Sequence, residues 1–161
     1  MKFSFRGMRM SGLLVVVPEN ESRFDDEIEN YNFPPANSKK LKRVIGFDRH
    51  RVVKEGTCAS DLALHGLQHL FDAGALERDQ VDGLILVTET PDYFMPPTSN
   101  VLQGKLGLGT DVWCMDINQG CAGFTVGLIQ AFMMLQHPSI QRVLLVNADT
   151  LTRTCSPRDR N

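Results

Sequence analysis

The stretch from Cys121 to Leu135 (CAGFTVGLIQAFMML) contains no charged residue. A surface helix shows one apolar stripe and one polar face. This helix has almost no polar face, so it needs apolar cover on most sides and implies a layered fold. Its neighbours in sequence supply the first layer. Val81–Thr88 (VDGLILVT), Val112–Ile117 and Val143–Ala148 read as buried strands, and the apolar run Leu13–Val17 inside Ser11–Pro18 reads as another. Between them, Ser60 is expected to cap a helix that spaces Leu62, Leu64, Leu67, Leu70 and Phe71 along one face. Ser99–Leu106 reads as a short helix closed by Gly107. Strands alternating with helices predict βαβ units, a mainly parallel sheet and helices on both faces.

The rest of the chain is more polar. A short helix is expected near Asp25–Asn30. A basic helix is expected over Lys39–Ile45, capped by Ser38 and ended by Gly46. Thr90–Pro97 reads as a loop rich in proline and aromatics, and Thr150–Asn161 as a polar tail. At 161 residues the chain suits one domain with an ordinary core.

The formal net charge of −2 offers no basic excess for nucleic acid. No apolar run approaches the roughly 20 residues of a membrane helix. The basic start MKFSFRGMRM and the short apolar run after it do not read as a secretory signal, so a cytoplasmic location is expected. Cys58, Cys114, Cys121 and Cys155 form no C-x-x-C pair, which argues against a zinc site. His65 and His69 are four apart on one helix but lack a third ligand, so no metal is expected; they read as a solvated helix face. His50, in a basic run, and His137, beyond the long helix, read as exposed.

Only Cys121 has suggestive surroundings. The strand ending at Ile117, the turn at Gly120 and the helix beginning near Cys121 place a thiol at a helix N-terminus. The dipole end and unsatisfied N–H groups there favour a thiolate, and the same N–H groups can receive the oxyanion of acyl transfer. Gly120, Ala122 and Gly123 keep the surroundings small enough for an acyl chain to approach. A cysteine packed at a helix start fits the same spacing. Glu89, Asp92 and Asp116 lie near the site in sequence. Strand-end acids of this kind serve more often as hydrogen-bond partners of loop amides than as acids or bases.

Asp116-Ile-Asn-Gln-Gly-Cys-Ala-Gly-Phe124 resembles the active-cysteine motif of the β-ketoacyl-acyl-carrier-protein synthase III family. Four further stretches resemble it in the same order: Ile45–Arg51, Ala59–Ala63, Val87–Tyr93 with Pro96, and Arg142–Val146 with Ala148-Asp149 followed by Ser156–Arg160. The resemblance implies a thiolase-like fold whose first half is βαβαβαββ, with a mixed, mostly parallel sheet and helices on both faces. Residues 1–161 would then be the N-terminal half of a longer synthase. The C-terminal half, with a histidine and an asparagine that assist catalysis, would lie outside this chain, and the chain alone would be inactive.

The implied activity is a condensation through an acyl-Cys121 intermediate that forms a β-ketoacyl thioester with loss of carbon dioxide. Acyl-CoA and malonyl-ACP would be substrates, with no permanently bound cofactor. Acyl carrier protein and a second copy of the chain would be partners, the homodimer pairing through the strand at Val112–Ile117. Arg160 would contact coenzyme A, Arg43 and Lys42 would meet its phosphates as cations do, and Phe94, Met95 and Phe124 would line the acyl pocket. Lys40 and Val44 stand where the family has its coenzyme-A-clasping tryptophan and arginine, a departure that bears on acetyl-CoA priming. Acyl transfer to an amine or hydroxyl in surface-polysaccharide or specialised-metabolite synthesis is a second reading. A non-catalytic partner subunit is a third, and a hydroxymethylglutaryl-type synthase a fourth.

Overall fold

A computed structural model describes residues 2–159. They fall into two compact units: residues 17–57 with 150–159 form one, and residues 2–16 with 58–149 the other. The sequence reads as one domain, because nothing in local composition marks a boundary that the chain crosses twice.

The larger unit contains a three-stranded parallel sheet. The strands are β3 (Gly83–Val87), β4 (Trp113–Ile117) and β5 (Val143–Asn147), in the order β4-β3-β5. Ile85 of β3 pairs with Met115 on one side and Leu145 on the other. The central strand is buried at all five residues, as its unbroken GLILV run requires.

Side chains of β3 alternate between two cores. Leu84 and Leu86, both fully buried, meet α3 (Ala59–Asp72) and α4 (Thr98–Leu106) through Leu67, Phe71, Leu102 and Leu106. Ile85 and Val87 face α5 (Gly123–Met134) and pack with Ala131 and Met134. Each fully buried leucine contributes about 1.5–3 kcal/mol relative to exposure. Helices therefore cover both faces.

The two glycines of α5 set its distance from the sheet. A Cβ at Gly123 would lie 2.4 Å from Val87 Cγ1, and one at Gly127 would lie 2.8 Å from both Val87 Cγ2 and Leu145 Cδ1. With Gly123, Gly127, Ala131 and Met134 facing inward, the outer side carries Phe124 and Met133, each about half exposed.

The smaller unit contains a two-stranded antiparallel ribbon, β1 (Asn20–Arg23) with β2 (Arg49–Val52). It also holds α1 (Phe24–Glu27), a 3-10 turn at Ile28–Asn30, and α2 (Pro35–Ile45). Phe24 is buried against Tyr31 and Phe47.

Three expectations are corrected. Residues 11–18 form no strand: Leu13 is 84% exposed and Val15 72%, while Leu14 and Val16 lie against α3 at Gly66. The apolar run satisfies one face by packing on a helix, without a ladder. The helix expected from Lys39 begins at Pro35, because proline suits the first helical position, and Ser38 is buried inside it. Gly46 ends it in a left-handed conformation, as expected. Ser60 is not a cap. Cys58 holds the N-cap position of α3, and Asp61 accepts the Cys58 amide at 2.9 Å.

Candidate functional site

The C-terminal ends of the three parallel strands converge in the larger unit, the usual place for a ligand in an open α/β sheet. Beyond Ile117 of β4, Asn118 and Gln119 lead into a 3-10 turn over Gly120–Ala122, and α5 follows at once. Gly120 has φ +50°, a left-handed value that favours glycine. The Ala122 amide donates to the Gln119 carbonyl at 3.1 Å and closes the turn. Cys121 sits in this turn with an exposed side chain, two residues before α5 begins. The sequence places the helix start at Cys121 itself; the left-handed glycine tightens the entry and delays it. Phe124 is half exposed in the first turn of α5.

The two neighbouring strand ends are tied together. One oxygen of Asp149, two residues beyond β5, accepts four donors. They are Thr88 Oγ1 at 3.0 Å, the Glu89 amide at 2.7 Å, the Thr90 amide at 3.1 Å and Thr90 Oγ1 at 3.1 Å. The Thr88–Thr90 turn is thereby fixed. The exposed Glu89 side chain reaches toward Gly120, where an added Cβ would lie 3.3 Å from Glu89 Oε1.

The other acids hold structure. Both oxygens of Asp116 accept amides at the start of α4, Thr98 at 2.7 Å and Ser99 at 2.8 Å. Asp92 accepts both the amide and the hydroxyl of Ser60. These two are partners of loop and helix-start groups, as read from sequence.

The four thiols differ in setting. Cys121 and Cys155 are exposed, and Cys58 and Cys114 half-buried. Burial, and then the charge of Asp116, push the Cys114 thiol up. That thiol is a poor nucleophile at neutral pH.

The remaining sequence-predicted residues are placed one by one. Phe94 and Met95 lie in the loop after β3 with side chains open to solvent. Arg43 is exposed on α2 in the smaller unit, and Arg160 lies outside the described residues. Lys42, beside Arg43, is held by Asp25 at 2.8 Å and Asp48 at 2.7 Å; these bonds, Asp25 first, raise its pKa.

His65 and His69 are exposed, and no group of three metal-ligating side chains occurs among the described residues. His137 is exposed too. His50 is half-buried rather than exposed: its ring stacks on Phe47 with centroids 5.2 Å apart, and Nε2 lies 3.5 Å from Glu27. No helix among the described residues is long and apolar enough to cross a membrane.

Glu89 is the site residue that sequence reasoning underweights. Its closeness to Gly120 arises from strand pairing between segments some thirty residues apart, for which spacing gives no signal.

Comparison with known proteins points to one family. Residues 115–161 match the family model 3-Oxoacyl-[acyl-carrier-protein (ACP)] synthase III. The whole chain is 35% identical to a Campylobacter jejuni protein provisionally named 3-oxoacyl-(acyl-carrier-protein) synthase 3, and covers 46% of it. It is 33% identical over 75% of its length to a beta-ketoacyl-(acyl-carrier-protein) synthase III of Streptomyces coelicolor, covering 36% of that protein. A crystal structure of 3-oxoacyl-(acyl-carrier protein) synthase from Burkholderia xenovorans superposes with a TM-score of 0.81 at 31% identity. The match covers 90% of this chain and 41% of that one. The chain spans less than half the length of each of these relatives.

Proposed function

Since this chain belongs to the 3-oxoacyl-(acyl-carrier-protein) synthase III family, corresponds to the N-terminal part of its members and shares their thiolase-like fold, we propose that it carries the nucleophile of a condensing acyltransferase. The observation that carries this reading is the exposed Cys121 in a tight glycine turn, at the converging strand ends and directly before α5.

The Cys121 thiolate attacks the carbonyl carbon of an acyl-CoA. A carbon–sulfur bond forms to Cys121, and the bond to coenzyme A breaks with departure of its thiolate. Malonyl-ACP then loses carbon dioxide, and the resulting carbanion attacks the acyl-Cys121 carbonyl. A carbon–carbon bond forms, and Cys121 leaves as thiolate. The product is a β-ketoacyl thioester.

In this reading coenzyme A and acyl carrier protein enter as substrates, and no cofactor is held permanently. Phe124 in the first turn of α5, with the open Phe94 and Met95, walls the acyl chain. Arg43 and Arg160 meet coenzyme A phosphates, as guanidinium groups do. Histidine and asparagine groups that assist decarboxylation come from the additional length that the relatives possess. The active form is a cytoplasmic homodimer. Its support is strand β4, which has one neighbour among the described residues and carries Trp113 54% exposed at its start.

The test is incubation of the full-length protein with acetyl-CoA and longer acyl-CoAs, followed by intact mass and peptide mapping. An acyl adduct on Cys121 that disappears in Cys121→Ala is expected. No adduct, or an adduct that survives the substitution, refutes the reading.

A further inference from the structure

The Glu89 carboxylate stands beside the residue that precedes the nucleophile, on a turn held by four hydrogen bonds to one Asp149 oxygen. Gly120 leaves that carboxylate room: any side chain there would come within 3.3 Å of Oε1. No hydrogen bond or ion pair among the described residues engages the Glu89 carboxylate. Asp92 and Asp116, by contrast, are spent on Ser60 and on the start of α4. Glu89 is thus the carboxylate at these strand ends that is both fixed at its backbone and free at its tip.

A cysteine that attacks as a thiolate has no proton to give to a carboxylate beside it. Its use comes after acylation. The acylated sulfur is neutral, and a carboxylate beside Gly120, the residue before the acylated cysteine, can then act as a base toward an incoming acceptor. A carbanion formed by loss of carbon dioxide brings no proton to that base. A neutral hydroxyl or amine does.

We propose that Glu89 is a catalytic base that gives acyl-Cys121 a second outlet, transfer of the acyl group to a hydroxyl or amine acceptor. The acceptor oxygen or nitrogen forms a bond to the acyl carbon while its proton passes to a Glu89 oxygen. The carbon–sulfur bond breaks and its electron pair stays on Cys121 as thiolate. Glu89 then yields the proton to solvent. An ester or amide results, and no oxidant or further reactant is consumed. This inference rests on the acyl-Cys121 intermediate proposed above.

The experiment uses the full-length protein, acylated with acetyl-CoA and freed of excess reagent. The acyl-enzyme is chased in parallel with ethanolamine and with hydroxylamine, which is reactive enough to need no base. Loss of the acyl mass is timed by intact mass spectrometry in wild type and in Glu89→Gln. Both proteins are expected to acquire the acyl mass and to release it to hydroxylamine at rates within about twofold. Release to ethanolamine is expected to be at least about tenfold slower in Glu89→Gln, the low end for loss of a general base. Equal ethanolamine rates in the two proteins overturn the role of Glu89 while leaving the nucleophile in place. Equal slowing toward both chasing agents marks a structural role and also overturns it. If neither protein gains acyl mass, the Cys121 reading falls and this inference falls with it.

Discussion

Glycine-to-alanine substitutions on two helices should shift stability in opposite directions. In α5, a methyl at Gly123 would lie 2.4 Å from Val87 Cγ1, against an ordinary carbon–carbon contact of about 3.5–4.0 Å. The helix must therefore retreat from β3 by about 1 Å or Val87 must leave its rotamer. Overpacking of this kind costs about 1–3 kcal/mol. Alanine returns up to about 1 kcal/mol of helix propensity, and less at Gly123, which opens the helix. The net expectation for Gly123→Ala is a loss of about 1–2 kcal/mol. Gly104 in α4 has no atom within 4 Å of the same added methyl, and its φ is not left-handed. Gly104→Ala should therefore gain about 0.5–1 kcal/mol. Urea denaturation followed by far-UV circular dichroism reads both. With a slope of about 2 kcal/mol per molar, the midpoints should move down by about 0.5–1 M and up by about 0.3–0.5 M. Equal midpoints, or a more stable Gly123→Ala, would refute the claim that α5 is seated by its glycines.

Three further outcomes follow from the described contacts. Iodoacetamide should modify Cys121 before Cys58, Cys114 or Cys155, with Cys114 slow because burial and Asp116 raise its thiol pKa; peptide mapping that finds Cys114 ahead counts against this. Asp116→Ala should lower stability by about 1–3 kcal/mol, since it removes two amide bonds at the positive end of α4; a midpoint within error of wild type contradicts the capping role. Tyr31 should ionise only at about pH 12, held up first by burial and then by its bond to Glu27. Because the folded value is raised, the associated stability is full below about pH 10 and is lost as pH climbs toward 12. Ultraviolet titration of the folded protein checks this, and complete tyrosine ionisation by pH 11 would contradict it.

Much of the sheet was legible because β3 is buried at every position and its five residues are all apolar or glycine. Gly46 and Gly107 marked helix ends because both adopt left-handed backbone there. The uncharged 121–135 stretch correctly announced apolar surface in excess of what one sheet covers, as the exposed Phe124 and Met133 show. What escaped reading depends on distant partners. Leu13–Val17 has the composition of a strand, yet Gly66 on α3 offers Leu14 and Val16 a place to pack. Ser60 has the chemistry of a cap, but Asp92, 32 residues on, claims its hydroxyl. The crossing of the chain between two compact units, and the approach of Glu89 to Gly120, likewise have no local signature.

The hydrogen bonds at Asp149 also set an order of events during synthesis. The turn that carries Glu89 is tied by a residue that lies up to 61 positions later in the chain. At about 5–20 residues per second, a ribosome needs about 3–12 s to travel that distance. Throughout that interval Thr88, Glu89 and Thr90 have left the ribosome without their acceptor, and Cys121 emerges while the turn beside it is still loose. The Cys121 thiol therefore exists before its surroundings do, and the last residue of the larger unit to be made is the one that ties the turn beside it.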